Sequence, residues 1–339
     1  MALQITDQSY IGKFASAYWT PALFEMDTIK KRLVNVIDNI KEPSFNIGNI
    51  DFAGGLQPRE AQPTTQNGTW TVNKKMLTPN DAMFYTEFNP RDLEAHWESQ
   101  NLSKELLKRK LPPTFESYAM YMMAGRVFES MENAWWMGSK AYSTITDTTD
   151  SRYNMQFFDG FINKMVNDSS VMLLPSFTGF DPVGSGGPAE VIACFDGLIE
   201  LVAQNQRGLI SKTSTTSRMK FIVSVDTWFL YCSALTTGTD FKGIQYTTHD
   251  TPPWKGWEVV AVNGMPPNTV LFCEAIPSFD GALHIGMNST ADYNSMQIAK
   301  TRPMDETYFV KMLTKMDIQY KYGSEIALAT TCTPSSFLP

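Results

Sequence analysis

From Ile47 to Phe88 the chain runs in short alternating stretches, such as Thr69-Trp70-Thr71-Val72-Asn73, broken by Gly48, Gly54, Gly55, Pro58, Pro63, Asn67-Gly68 and Pro79. Alternation with a period of two marks a strand with two unlike faces, and Asn-Gly is a strong local signal for a tight hairpin turn. A structureless connection of about 40 residues does not suit the interior of a compact domain. The segment therefore reads as a long β-hairpin or extended loop that projects from the body. The alternative is a two- or three-stranded sheet folded onto the core.

Helical spacing appears on both sides of this stretch. Upstream, Ile29, Leu33, Val36, Ile37 and Ile40 predict a helix over 27–40, closed by Pro43. Ahead of it lies a segment with an unusual aromatic load, Tyr10, Ile11, Phe14, Tyr18 and Trp19. Such side chains near a chain end need a surface to cover, on this molecule or on a neighbour. Downstream, Asn89-Pro90-Arg91-Asp92 opens a helix with an Asn cap and a Pro in the first turn. Thr114 then caps the clearest helix in the chain, with Met120, Met123, Ala124, Val127, Met131, Ala134 and Trp135 recurring before Gly138. Its span of ~24 residues makes a rod of ~36 Å, long enough to serve as a spine.

Tyr142 to Tyr153 is polar and loop-like, and Gln156 to Asn167 predicts a short helix with Phe157, Phe161, Ile162 and Met165 inward. A Gly-rich connector, Gly179 to Gly187, leads to Pro188 and a helix carrying Val191, Ile192, Phe195, Leu198, Ile199 and Val202 on one side. Strands follow at 219–225, 257–262, 269–274 and 283–287, with a helix over 227–235 capped by Asp226. Together they predict a mixed α/β lobe with helices on the faces of a sheet. Thr307 to Thr330 reads as two long strands sized to lie beside the spine.

Chemistry is thinly represented. The 339 residues include three histidines, His96, His249 and His284, and the suggestive pair His249-Asp250 has no nucleophile signature beside it. Gly184-Ser185-Gly186-Gly187-Pro188 lacks the Lys-Ser/Thr of a phosphate loop, and Pro188 removes a backbone donor. Cys194, Cys232, Cys273 and Cys332 are widely spaced, which suits reduced thiols and argues against a disulfide framework or zinc site. No signal peptide is read at the start, and no apolar run approaches the ~20 residues of a membrane span. A net charge of −7 excludes general attraction to phosphate backbones, because that affinity comes from clustered Lys and Arg.

Three local textures add to this order of elements. They are Phe88-Asn89-Pro90-Arg91-Asp92-Leu93 through Trp97, Glu129/Glu132-Asn133-Ala134-Trp135-Trp136-Met137-Gly138, and Phe158-Asp159-Gly160-Phe161-Ile162. Lys220 to Tyr231, Trp257 to Asn268 and Thr307 to Ala329 extend the pattern. In this order the chain resembles the tailed-phage major capsid protein family, the Hong Kong ninety-seven fold, over nearly its whole length.

The resemblance implies an α+β (mixed α/β) architecture in four parts. They are an N-terminal arm over 1–47, an extended β-hairpin loop over 48–86, a peripheral domain of 87–172 plus 302–339 with its spine helix at 114–137, and an axial domain over 173–301. It implies a non-enzymatic shell subunit that assembles with itself as hexamers and pentamers around double-stranded DNA, without base specificity. No cofactor, metal or membrane is implied, and the location is the virion, with the host cytoplasm during assembly. Expected assembly contacts are Phe14, Tyr18 and Trp19 on the arm and Asn67, Gly68, Trp70, Lys74 and Lys75 on the loop. No charged helical segment precedes the arm, so a separate scaffolding protein is an expected partner beside portal and decoration proteins. Some relatives join a loop Lys to a terminal-strand Asn. Here Phe309-Val310-Lys311-Met312-Leu313-Thr314 offers Met at the acceptor position, so no cross-link is expected from Lys74 or Lys75. The rival readings are an encapsulin-like compartment shell and an α/β hydrolytic enzyme using His249.

Overall fold

The computed structural model describes residues 26–38, 40, 44–59, 68–89, 115–175, 177–180, 187–213, 218–237, 253–287, 297–301 and 307–332. Among these, three sheets form. β1 (Asn35–Ile37) enters the first sheet, while β2 (Phe45–Gly54) and β3 (Gly68–Leu77) make an isolated two-stranded ribbon. Only Thr78 and Pro79 separate β3 from β4 (Asn80–Phe88), which returns to the first sheet.

The next long element is the spine helix, Phe115–Met137. Two 3₁₀ turns, Lys140–Thr144 and Ser151–Met155, and the helix Phe161–Val166 lead to β5 (Met172–Leu173). Helices Gly187–Asn205 and Arg207–Thr213 precede β6 (Met219–Ser224) and helix Val225–Thr237. β7 (Glu258–Val262), β8 (Thr269–Glu274), β9 (Leu283–Met287), β10 (Gln297–Lys300), β11 (Tyr308–Tyr320) and β12 (Ala327–Thr330) complete the chain.

The first sheet is organised by β11, thirteen residues long. One of its edges pairs with β4 from Tyr308↔Phe88 to Met316↔Asn80. The other is shared by β10 at one end and β9 at the other, and β1 adds in parallel outside β9. The inner face of this sheet meets the spine. Val127, Met131 and Trp135 lie in one buried cluster with Met312, Met316, Ile318, Leu283 and Ile285, and the Trp135 indole donates to Met316 Sδ at 3.3 Å.

The second sheet, in order β5-β12-β8-β6-β7, is a wall with a core on each side. Phe221, Val223, Val270 and Phe272 face the helices Gly187–Asn205 and Val225–Thr237, where Phe195, Phe221 and Phe272 stack at 4.6 and 4.3 Å. Ile222, Leu271 and Cys273 face the opposite way, into the spine's cluster. Strands buried on both faces read as continuous apolar runs, which Phe221-Ile222-Val223 and Val270-Leu271-Phe272-Cys273 are.

Five expectations change. The helix expected over 27–40 is one turn, Asp27–Lys30, followed by a reversal in which Arg32 adopts φ 54° and by β1. Val34, Val36 and Ile37 are β-branched, and pairing with β9 buries Ile37, so tertiary context overrides the helical spacing. The tail of the extended loop is β4, an integral strand of the first sheet. Strand 283–287, read as part of the α/β lobe, lies instead between β1 and β11, and β12 leaves the spine for the second sheet beside β8. The loop-like 142–153 stretch begins and ends inside two 3₁₀ turns, Lys140–Thr144 and Ser151–Met155, capped by Ser139 and Asp150. The helix opened by Asn89-Pro90-Arg91-Asp92 and the loop carrying His249 and Asp250 lie outside the described residues.

Candidate assembly surface

The ribbon's register runs from Phe45↔Leu77 to Gly54↔Gly68, so directly paired residues share a face. One face carries Ile50 opposite Val72 and Phe52 opposite Trp70. These are 60%, 60%, 49% and 68% exposed, with the Phe52 and Trp70 rings 4.7 Å apart. A Cβ on Gly68 would come within 2.7 Å of the Phe52 ring, which would have to swing aside to admit it. Seven residues at ~3.3 Å each put Trp70 ~23 Å from Leu77 at the base. Four exposed apolar side chains on one face form the contiguous kind of patch that marks a contact surface.

At the base the ribbon is buried and fastened. Ile47 and Leu77 pack with Ile37 and Ile40. Lys75 Nζ sits 2.8 Å from Asp168 Oδ2 and 3.5 Å from the centre of the Tyr320 ring, and the Tyr320 hydroxyl donates to the same carboxylate at 2.6 Å. Thr78 N donates to Asp317 Oδ2 at 2.8 Å, and Lys164 pairs with Asp317 Oδ1 at 3.0 Å and donates to the Ile318 carbonyl. Burial works against the Asp168 carboxylate, but hydrogen bonds from Lys75, Ser170 and Tyr320 outweigh it and hold its pKa well below the usual carboxylate range. Burial pushes the Lys75 ammonium down, offset in part by Asp168, and burial together with Asp168 pushes the Tyr320 phenol up. Replacing Asp168 by Ala leaves a part-buried ammonium and a phenol without their shared acceptor. The expected loss is about 2 kcal/mol in denaturant unfolding, with faster amide exchange at residues 74–78.

A second fastening ties Asp27 and Thr28, inside the segment expected as an N-terminal arm, to the spine. Glu132, on the spine, accepts from Asp27 N at 3.2 Å, Thr28 N at 3.0 Å and Thr28 Oγ1 at 2.8 Å. It satisfies the free N–H groups that a helix start otherwise leaves open. Burial raises the Glu132 pKa, opposed by the Thr28 hydrogen bonds. Trp136 Nε1 donates to Thr28 Oγ1 at 3.0 Å.

Farther along, Asn35 Nδ2 lies 3.2 Å from His284 Nδ1 at the β1–β9 junction, with His284 fully buried. Burial and the Lys321 ammonium hold the imidazole down to about 4, against 6.5 ordinarily. The folded protein thus binds fewer protons than the unfolded chain below pH ~6.5, so stability is lost as pH falls from there toward ~4. The expected acid loss from this group is up to about 3 kcal/mol. Melting temperatures of the wild type and His284→Gln at pH 7 and 4.5 check it: the variant should lose less on acidification.

Among the described residues no group of three His, Cys, Asp or Glu side chains is placed to hold a metal ion, and no helix is long and apolar enough to cross a membrane. No protein-family model matches the chain, and no curated protein matches its sequence. Solved structures do. One is a chain of the satellite phage P4 procapsid including size determination (Sid) protein, 12% identical, with 91% of this chain and 96% of that chain covered and a TM-score of 0.51. The chain has the phage capsid fold. The capsid of the native GTA particle matches at 9% identity, 98% and 96% coverage and TM-score 0.49. A virus-like particle from Pyrococcus furiosus matches at 8%, 93% and 98%, and 0.46.

On this capsid fold the residues singled out from sequence fall into three groups. Gly68, Trp70 and Lys74 lie on the exposed face of the ribbon, with Lys74 opposite Gly48. Lys75 points the other way and is spent on the base. Phe14, Tyr18, Trp19 and Asn67 lie outside the described residues. Sequence reasoning missed Ile50, Phe52 and Val72, although the alternation that exposed Trp70 includes them. It also missed Asp168, Tyr320 and Glu132, whose partners stand 93 to 152 positions away and leave no local signal.

Proposed function

We propose that this chain is the major capsid protein of a tailed phage, assembling as hexamers and pentamers into an icosahedral shell around double-stranded DNA. One observation carries the reading: a ribbon fastened at its base by the part-buried Lys75–Asp168 ion pair presents an uncovered apolar face along its outer half. A shell subunit needs surfaces that find partners on other copies, and such an arm supplies one. In this reading the segment ahead of Met26 and the ribbon, Phe45–Leu77, are the reaching segments, the first sheet with the spine helix is the peripheral domain, and the second sheet with its helices is the axial domain. Scaffolding, portal and decoration proteins are its further partners. The particle is its location, after assembly in the host cytoplasm.

Negative-stain microscopy of the purified protein, with and without co-expressed scaffold, tests the proposal. Closed shells that package DNA support it, shells that enclose protein cargo point to a compartment, and a low-order oligomer overturns it. Denaturing electrophoresis of particles should show monomers alone, since Met312 occupies the acceptor position and Lys75 is paired. Ladders above monomer mass would contradict this.

A further inference from the structure

The turn between β7 and β8 carries the pair Asn263-Gly264. The Asn263 side chain is exposed, and Gly264 behind it is buried. A Cβ on Gly264 would stand 2.7 Å from the Glu132 carbonyl oxygen and 2.9 Å from the Trp136 ring, so the turn is pressed against the spine helix. Met265, the next residue, belongs to the spine's core cluster. Among the described residues neither the Asn263 amide nor the Gly264 N–H makes a hydrogen bond. A buried backbone N–H without a partner is rare. Three aspartates in the described residues, Asp159, Asp196 and Asp280, also precede a glycine, and there the fold occupies the nitrogen. Gly160 N donates to the Gly138 carbonyl at 2.8 Å, Gly281 N donates to the Ser278 carbonyl at 2.9 Å, and Gly197 lies inside helix Gly187–Asn205.

We propose that Asn263 is a site of spontaneous deamidation, with the chain itself as the nucleophile and water as the co-reactant. The Gly264 nitrogen gives up its proton and bonds to Asn263 Cγ, the Cγ–Nδ2 bond breaks, and Nδ2 leaves as ammonia. Glycine has no Cβ to hinder closure of the resulting five-membered succinimide. Water then opens the ring at either carbonyl. Attack at Cγ leaves aspartate. Attack at the Asn263 main-chain carbonyl leaves isoaspartate, whose main chain runs through the former side chain and is one carbon longer. Either product places a new carboxylate on the turn. The longer one must also fit its extra carbon between a strand of the second sheet and a glycine that cannot approach the spine more closely. Modification therefore loosens the join between the spine and the second sheet, whatever the chain assembles into.

The test incubates the purified full-length chain, folded and in guanidinium chloride, in mildly alkaline buffer, and follows the peptide containing position 263 by mass spectrometry. The folded protein should gain one dalton at Asn263 at a rate within about tenfold of the unfolded chain's, with isoaspartate among the products. The aged wild type should then melt about 3 °C below fresh protein. Asn263→Gln keeps an exposed amide but closes a ring far more slowly, so it should fold as wild type and show neither change on ageing. A folded rate more than tenfold below the unfolded one overturns the proposal, because the fold then blocks the attack. An equal fall in the melt of aged Asn263→Gln overturns the weakening assigned to this turn.

Discussion

Replacing Trp70 by Ser and Val72 by Thr should abolish closed particles while leaving the monomer's melting temperature within about a degree of wild type. Both side chains are mostly exposed in the single chain, so their removal costs the monomer's core nothing. In a shell each would be covered, and full burial of a large apolar side chain is worth about 1.5–3 kcal/mol. Two of them lost per contact, at about 2 kcal/mol each, lowers each pairwise affinity by roughly a thousandfold. A shell repeats the contact many times, so the effect multiplies. Thermal melts beside sedimentation or electron microscopy check both halves. A variant that assembles normally removes the ribbon from the assembly surface, and one that melts far lower shows the ribbon folded against its own body.

Trp136→Ala should do the opposite, destabilising the subunit rather than disarming it. The indole is fully buried where four elements meet. It packs on Phe161 at 5.3 Å between ring centres, donates to Thr28 Oγ1, and lies 2.9 Å from where a Cβ on Gly264 would stand. Truncation leaves a cavity of aromatic size and removes the donor that satisfies Thr28. The expected cost is about 4 kcal/mol, a large share of the roughly 5–15 kcal/mol margin of an ordinary domain. Denaturant unfolding should show a reduced midpoint with unchanged slope, and Trp136→Phe should recover more than half the loss.

How far the fold could be read from sequence depended on whether the signal was local. Phe221-Ile222-Val223 and Val270-Leu271-Phe272-Cys273 announce buried strands in their own composition, and Phe115–Met137 announces its helix through spacing and the glycine after it. The ribbon was legible as alternation around Asn67-Gly68, and the same alternation assigned Trp70 to a face. Residues 27–40 were misleading because Ile29, Leu33, Val36, Ile37 and Ile40 satisfy the helical period by accident of spacing. What decides there is a distant strand, β9, offering His284 to Gly286 for pairing. The fastening at the ribbon's base was invisible for the same reason. Lys75 looks like any surface lysine until the fold brings Asp168 and Tyr320 around it.

The double-sided second sheet has a mechanical consequence. Because Ile222 and Leu271 press into one core while Phe221 and Phe272 press into the other, neither half of the subunit can melt without baring a strip of hydrocarbon that belonged to its companion. The two halves are therefore obliged to fail together, in a single transition. A strain applied at the spine is handed directly to the aromatic stack behind it, as through a bulkhead with both compartments flooded.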